Sequence, residues 1–159
     1  MTRTGVPFLD RKDQMKAIEM FESARLAATE IKRIEARTQE MLDRIGVQGH
    51  GYEHINITGV LDPMRKVDDL LDWESRAKDE LSECEREIAI GWQIVAGIDA
   101  LGFGTHARVL SGYYLEARSW ESVSKETGLT PEECRGFAKT VCDVCDAMGI
   151  AKVKEMGRG

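Results

Sequence analysis

Two stretches of apolar residues at heptad spacing, separated by a glycine-rich segment, are the strongest constraint on how this chain folds. In the first stretch, small and apolar residues recur in alternating steps of four and three. These positions are Ala17, Phe21, Ala24, Ala28, Ile31, Glu35, Thr38, Leu42 and Ile45. The spacing predicts a long helix from about Leu9 to Ile45, in which Glu35 is the residue that does not fit.

The second stretch begins at Asp62-Pro63, an N-cap residue followed by proline in the first helical turn. Its three-four alternation covers Val67, Leu70, Glu74, Ala77, Leu81, Cys84, Ile88, Gly91, Val95 and Ile98. The pattern predicts a second long helix over residues 62–98, with Glu74 and Gly91 as its weak positions.

The segment between the two stretches contains Gly46, Gly49, Gly51 and Gly59 and has no helical period, which is typical of a loop. Two long helices joined by such a loop predict an antiparallel, coiled-coil-like hairpin. The same stripes would also suit pairing between subunits, and the pattern leaves both arrangements open. We expect residues 1–98 to form the hairpin and an oligomerisation region, and residues 99–159 to form a second module.

Composition limits the classes of protein that this chain can belong to. Its residues are 42% hydrophobic and 31% charged, and no apolar run reaches the length of about 18 residues that a membrane span needs. The N-terminus has no apolar signal core, so we expect a cytoplasmic protein. The net charge of −6 disfavours nonspecific binding of polyanions by the whole chain. Residues 99–159 carry 8 basic and 9 acidic side chains, a net charge of −1, so a local basic face remains compatible with the sequence.

Capping residues define the C-terminal module. Glycines at 97, 102 and 104 are expected to break the second helix and form a joint between the two modules. After this joint, Thr105 is expected to cap a short helix that reaches Leu115. The core residues of this helix are expected to be Ala107, Val109, Leu110 and Tyr114. Ser119 is expected to cap a helix that ends at Gly128. Thr130-Pro131-Glu132-Glu133 has the spacing of a capping box and predicts a last helix to about Met148.

A short helix, a glycine-containing turn and a capped second helix follow in the order of a helix-turn-helix. Trp120, Val123, Leu129 and the inward side chains of the last helix are expected to form one small core. The outward residues at the start of the last helix are where base and phosphate contacts would arise. The candidates for DNA contact are Arg135, Lys139, Thr130, Arg118 and Lys125.

Residues 109–130, which read VLSGYYLEARSWESVSKETGLT, resemble region 4 of bacterial sigma factors. Most of the chain is also similar to uncharacterised phage proteins related to the ArpU and RinA late regulators. These share a long helix pair, a glycine-rich loop before a second helix start, and this C-terminal module. The resemblance implies a phage or prophage transcription regulator. We expect this regulator to bind double-stranded DNA as an oligomer in the cytoplasm of the bacterial host.

This chain departs from the family pattern at the recognition helix, which opens with Glu132 and Glu133 and offers only Arg135 and Lys139 as basic residues. Because affinity for DNA rises with the number of phosphates neutralised, nonspecific binding is expected to be weak. The acidic helix favours a rival hypothesis, an adaptor or inhibitor whose module binds a host protein such as RNA polymerase. A phage packaging or replication accessory protein is a third hypothesis.

Other motifs point to ordinary structural roles. Cys134, Cys142 and Cys145 share one helical face, but a zinc site would need His106 as a fourth ligand, so we expect buried, metal-free thiols. His50 and His54 are expected to be solvated loop residues. No nucleophile and base are paired, which favours a protein with no catalytic residues, cofactor or small-molecule substrate. Trp73 and Trp92 flank the second stripe and are expected to pack against the neighbouring helix rather than stack on bases.

Overall fold

The computed structural model describes residues 15–45 and 63–158, and all regular structure within these ranges is helical. These two ranges contain six α-helices, with a π-helical turn at Ser111–Leu115 after the third. They are α1 (Ala17–Ile45), α2 (Pro63–Ala100), α3 (Gly104–Leu110), α4 (Trp120–Thr127), α5 (Pro131–Met148) and α6 (Ile150–Arg158). The all-α prediction with two long helices is confirmed. The predicted helix start at Leu9, the loop with His50 and His54, and the Asp62 cap lie outside the described residues.

Contacts within the chain divide it into two compact units, and both long helices contribute to each. We call Thr29–Cys84 the hairpin unit and the remainder, up to Ala28 and from Glu85 onward, the core unit. The unit limits therefore fall inside the two long helices and not at residue 98. A short helix-turn-helix has little apolar surface of its own, so its core is completed by parts of both long helices.

In the hairpin unit, α1 and α2 run antiparallel and pair within one chain. Lys66 Nζ donates to the carbonyl oxygen of Arg44 at 2.9 Å, and Trp73 Nε1 donates to Thr38 Oγ1 at 2.9 Å. Lys66 and Trp73 are seven residues apart, while their partners come at decreasing residue numbers along α1. This regular register follows from the heptad spacing of both stripes.

Glu35 and Glu74, the two acidic residues at heptad positions, are exposed, and the apolar residue before each of them is buried or half-buried in its place. Ile34 is 1% exposed whereas Glu35 is exposed, and Trp73 is half-buried whereas Glu74 is exposed. A straight α-helix has 3.6 residues per turn, so a strict seven-residue pattern drifts around its surface. The drift brings an apolar neighbour to the packed face and leaves each glutamate in water.

An interhelical pair of glutamates also lies in the hairpin unit. Arg33 hydrogen-bonds to Glu30 and lowers the pKa of that carboxyl to about 2. Glu80 shares a hydrogen bond with Glu30, and this bond raises the pKa of Glu80. The pKa values of the two carboxyl groups therefore shift in opposite directions, because Arg33 favours the charged form of Glu30 while the neighbouring Glu30 disfavours a charge on Glu80.

The core unit buries one continuous apolar cluster. Its members from the long helices are Ala17, Phe21, Ala24, Ile94, Val95 and Ile98. Its members from the C-terminal half are Ala107, Val109, Leu110, Tyr114, Leu115, Val123, Cys134, Ala138, Val141, Cys142, Cys145 and Val153. The predicted core residues of the first short helix, Ala107, Val109, Leu110 and Tyr114, are all buried as expected.

Three local predictions were wrong or incomplete. Thr105 is not an N-cap, since α3 begins at Gly104 and no side chain caps it. Gly97 does not break α2, which continues to Ala100. Gly97 is instead buried against Val153 of α6, a helix that the sequence pattern did not reveal. Within the described ranges, no helix has both the length and the apolar character needed to cross a membrane.

Candidate nucleic-acid interface

Side-chain caps fix the two helices of the helix-turn-helix. Ser119 Oγ accepts a hydrogen bond from Ser122 N at 3.1 Å and starts α4, and Gly128 ends it with φ of 80°. Thr130 Oγ1 accepts from Glu133 N at 3.1 Å, while the Glu133 carboxylate accepts from Thr130 N at 2.8 Å. The reciprocal bonds form the predicted capping box and set where α5 begins. The predicted caps at Ser119, Gly128 and Thr130 are thus confirmed.

The turn between α4 and α5 is held by both side-chain packing and hydrogen bonds. Ser124 Oγ donates to the carbonyl oxygen of Leu129, and Thr127 Oγ1 lies 3.8 Å from Cys134 Sγ. Val123 and Cys134 are fully buried, and Leu129 is partly buried against the same cluster. These contacts make α4, the turn and the start of α5 one unit, so its outward face is presented in a fixed orientation.

That outward face carries the residues selected from the sequence. Glu132, Arg135, Gly136 and Lys139 are all exposed on the first turns of α5. A Cβ atom added at Gly136 would meet nothing within 4 Å, so the surface there is open. Arg135 and Lys139 are one helical turn apart and project from the same side of the helix.

A stack of four side chains places Arg135. The guanidinium of Arg25 lies 3.8 Å from the centre of the Tyr113 ring, which stacks on Trp120 at 3.7 Å with an interplanar angle of 8°. The guanidinium of Arg135 lies 5.9 Å from the Trp120 ring, near the outer limit of a cation–π contact. Arg25 Nη1 also donates to the carbonyl oxygens of Tyr113 and Arg118. Arg25, Tyr113 and Trp120 therefore form a packed stack, and Arg135 lies beyond its outer end.

Sequence reasoning missed Arg25 and Tyr113 as parts of this site. Arg25 lies beside the heptad positions of α1, 88 residues from the carbonyl group that it contacts. The Tyr113-Tyr114 pair was visible in the sequence, but only Tyr114 has the spacing of a core residue. No local pattern links an arginine in α1 to an aromatic ring after α3.

Arg118, a candidate for DNA contact, belongs to an ion-pair network on the surface of the core unit. Its Nε donates to Ser122 Oγ at 2.9 Å, and its Nη1 pairs with Glu126 and, at 3.5 Å, with Glu116. Arg108 pairs with the same two carboxylates. The Arg118 side chain is 28% exposed. With its charge compensated in this way, Arg118 stabilises the segment before α4 and is poorly placed to neutralise a phosphate.

The other two candidates have different environments. Thr130 is exposed, but its hydroxyl oxygen already accepts the capping hydrogen bond from Glu133 N. Lys125 is exposed in the last turn of α4 and has no hydrogen bond or ion pair with any residue that the structure describes. The freely presented basic side chains of the helix-turn-helix are therefore Lys125, Arg135 and Lys139.

Acidic side chains on α5 offset this positive charge, although two of the four have structural roles. Glu133 completes the capping box, and Asp146 Oδ1 accepts a hydrogen bond from Ala17 N at 2.8 Å, which caps the start of α1. Glu132 and Asp143 are exposed. The face around Arg135 and Lys139 is consequently mixed in charge, with two exposed carboxylates, Glu132 and Glu133, close to the end that would enter a groove.

An open cavity of about 450 Å³ borders Arg135 and Lys139. Tyr114, Trp120 and Cys142 contribute its aromatic and sulfur surface, and burial raises the pKa of the Tyr114 phenol. Both rings belong to the core unit and form one wall of the cavity beside Arg135 and Lys139.

All four cysteines are buried and free, which confirms the predicted burial of Cys134, Cys142 and Cys145. Burial raises the pKa of Cys142 to about 12 and that of Cys145 to about 11. His106 stacks on Phe137 with ring centres 4.3 Å apart, and burial lowers its pKa. Among the described residues, no group of three or more histidine, cysteine or acidic side chains has the geometry of a metal site. That the thiols bind no metal stays a prediction.

These thiols are expected to resist alkylation in the folded protein. Only the thiolate reacts, and at pH 8 a thiol with a pKa of 11 is ionised in about one molecule per thousand. Iodoacetamide should therefore leave Cys142 and Cys145 unmodified for the time in which the urea-denatured chain is fully labelled, as read by mass spectrometry. Rapid labelling of the native protein, or stoichiometric zinc in the purified protein, would show that this description of the cysteines is wrong.

No protein-family model matches the chain, and no curated protein or solved structure is significantly similar to it.

Proposed function

We propose that this chain is a sequence-specific, double-stranded DNA-binding transcription regulator that reads DNA with the N-terminal turns of α5. The observation that carries the proposal is the exposed pair Arg135 and Lys139 at the start of a capped second helix. The guanidinium of Arg135 lies 5.9 Å from the centre of the Trp120 ring. In helix-turn-helix proteins this part of the second helix enters the major groove. The resemblance to phage late regulators supports the same role and a phage or prophage origin.

The two basic residues have different roles in this proposal. Arginine makes bidentate hydrogen bonds to guanine, so in this proposal Arg135, whose guanidinium lies 5.9 Å from the centre of the Trp120 ring, reads a base edge. Lys139, one turn further along, contacts a phosphate and sets the register. Lys125 on α4 supplies a second phosphate contact. With two or three phosphates neutralised, log K should fall with log salt concentration at a slope of only about −2 to −3.

The weak electrostatic component has a consequence for specificity. A chain with a net charge of −6 has little general attraction to DNA, so most of its binding free energy must come from the correct sequence. Glu132 contributes in the same direction, because a carboxylate near the groove repels phosphate but accepts a hydrogen bond from cytosine. We expect a regulator with modest affinity and a high ratio of specific to nonspecific binding.

Selection from a random-sequence duplex library with the full chain tests the proposal. The expected result is enrichment of a short motif containing at least one guanine whose replacement lowers affinity about tenfold or more. Arg135→Lys serves as a charge-matched variant, since lysine keeps the charge but not the bidentate geometry, and should relax the motif at that guanine. Absence of any enriched motif with folded protein would contradict the proposal.

A protein-binding adaptor is the second candidate function, and the carboxylates of α5 are the observation that favours it. Helix α5 carries Glu132, Glu133, Asp143 and Asp146 against Arg135 and Lys139. In this candidate the same face binds a basic surface of a host protein such as RNA polymerase. Glu132→Gln separates the two functions, because it should strengthen binding to DNA by removing repulsion and weaken binding to a basic protein surface.

A further inference from the structure

The last three turns of α2 differ from the rest of that helix in the charge of their exposed residues. Between Met64 and Arg86, twelve of sixteen exposed residues are charged. Between Ala89 and Ala100, only one of six exposed residues is charged, and it is Asp99. A solvent-facing helical surface is ordinarily polar, so this uncharged stretch of the core unit stands out.

The centre of the stretch is Trp92, whose side chain is 44% exposed. The sequence-based expectation that Trp92 packs against the neighbouring helix is therefore wrong for much of its surface, whereas Trp73 is half-buried and hydrogen-bonded to Thr38. Ala89 and Ala96 are exposed three residues before and four residues after Trp92, which places all three on one side of α2. We call Ala89, Trp92 and Ala96 the Trp92 face.

The C-terminal helix extends the apolar surface next to this face. A Cβ atom added at Gly157 of α6 would lie 2.9 Å from the Cβ atom of Ala96, so α6 ends against the edge of the Trp92 face. Met156, the residue before Gly157, is 40% exposed. The surface thus combines a large aromatic ring with small residues, on two helices that are packed against each other.

We infer that the Trp92 face is a self-association surface that binds a second copy of this chain. Near the axis of a two-fold symmetric contact a residue lies close to its own copy, so a charged residue there meets a like charge while an uncharged residue does not. The exposed residues of α2 from Met64 to Arg86 are mostly charged, so a two-fold axis placed there would bring like charges together, whereas an axis at Trp92 would not. Alanines at positions 89 and 96 let two helix axes approach closely, and tryptophan is the residue type most enriched at the centres of interfaces.

Other occupants fit this face less well. Nucleic acid and anionic surfaces require basic side chains, which the six exposed residues from Ala89 to Ala100 do not include; the exposed Lys152 and Arg158 of α6 lie outside the Trp92 face. A protein that binds through ion pairs would meet only one charged residue on this part of α2, Asp99, which lies two helical turns from Trp92. Self-association also suits the proposed function, because two copies double the few phosphate contacts that one α5 provides. Only this last argument rests on the proposed function.

Measuring the oligomeric state of the full wild-type chain and of two variants tests the inference. In sedimentation equilibrium, the wild-type chain should form a concentration-dependent dimer, and Trp92→Glu should raise the dissociation constant by about thirtyfold or more. Leu71→Glu is the matched control, since Leu71 is 57% exposed on the same helix but outside the Trp92 face. This control should leave the dissociation constant unchanged, and circular dichroism should show that both variants keep their helical content.

Two results would overturn the inference: a wild-type chain that sediments as a monomer at every concentration, or a dimer that Trp92→Glu and Leu71→Glu weaken equally. The proposed function can fail separately from this one. A chain that dimerises through Trp92 but selects no DNA motif would contradict only DNA reading, and a chain that binds its motif as a monomer would contradict only self-association.

Discussion

Replacing Gly97 with alanine is expected to lower the free energy of unfolding by about 2–3 kcal/mol, in the upper part of the range for overpacking a core. A Cβ atom at this position would lie 1.8 Å from the carbonyl oxygen of Val153, which is backbone and cannot rotate away. Helix α6 would have to move outward by more than an ångström. The move would separate Val153, which is fully buried, from the core and would disturb the contact between Gly157 and Ala96.

Gly136→Ala is the control for this prediction, because Gly136 is also inside a helix but faces open space. Alanine has a higher helix propensity than glycine, so Gly136→Ala is expected to stabilise the protein by about 1 kcal/mol. Urea denaturation of both variants measures the two effects, which should have opposite signs. If Gly97→Ala were also neutral or stabilising, the close packing of α6 on α2 would be incorrect.

Local chemistry explains why much of the helix-turn-helix could be predicted from the sequence. The caps at Ser119 and Thr130 and the left-handed residue Gly128 each act on backbone groups at most a few residues away. Heptad spacing similarly predicted the long antiparallel helices, because side-chain period and helix geometry are directly linked. At Ile34 and Trp73 the pattern was off by one residue, which is the size of error that the drift between 3.5 and 3.6 residues per turn produces.

The features that escaped prediction all depend on residues far apart in the chain. Gly97 resembled a helix breaker because its partner, Val153, lies 56 residues later, beyond the predicted end of the last helix at about Met148. Arg25 was one basic residue among many on α1 until Tyr113 and the carbonyl oxygen of Arg118 were placed beside it. Exposure of Trp92 is likewise a property of the packed chain, since flanking a heptad stripe usually brings burial.

The double substitution Arg135→Ala, Lys139→Ala is expected to lower affinity for the selected DNA by about a hundredfold or more. A bidentate contact to a base edge contributes about 1–3 kcal/mol, and a phosphate contact adds to this at low salt. The single changes should differ in kind. Arg135→Ala should reduce discrimination between the selected motif and its variants, whereas Lys139→Ala should weaken all sequences alike.

Lys152→Ala, Arg158→Ala is the control for this double substitution. Both residues are exposed on α6, and the control removes one lysine and one arginine, so the net charge changes by the same amount. Any loss of affinity shared by the two variants reflects the overall charge of the chain. A loss confined to Arg135→Ala, Lys139→Ala reflects the position of these side chains on α5.

The measurement that tests DNA reading by α5 most directly is the affinity of these two double variants and the wild-type chain for the selected duplex across a salt series. We expect Arg135→Ala, Lys139→Ala to lose about a hundredfold in affinity, and its slope of log K against log salt concentration to become shallower by about one. The α6 control should stay within about threefold of the wild-type chain at each salt concentration. A folded Arg135→Ala, Lys139→Ala variant with wild-type affinity and slope would contradict the account, and α5 would then be a surface that binds protein.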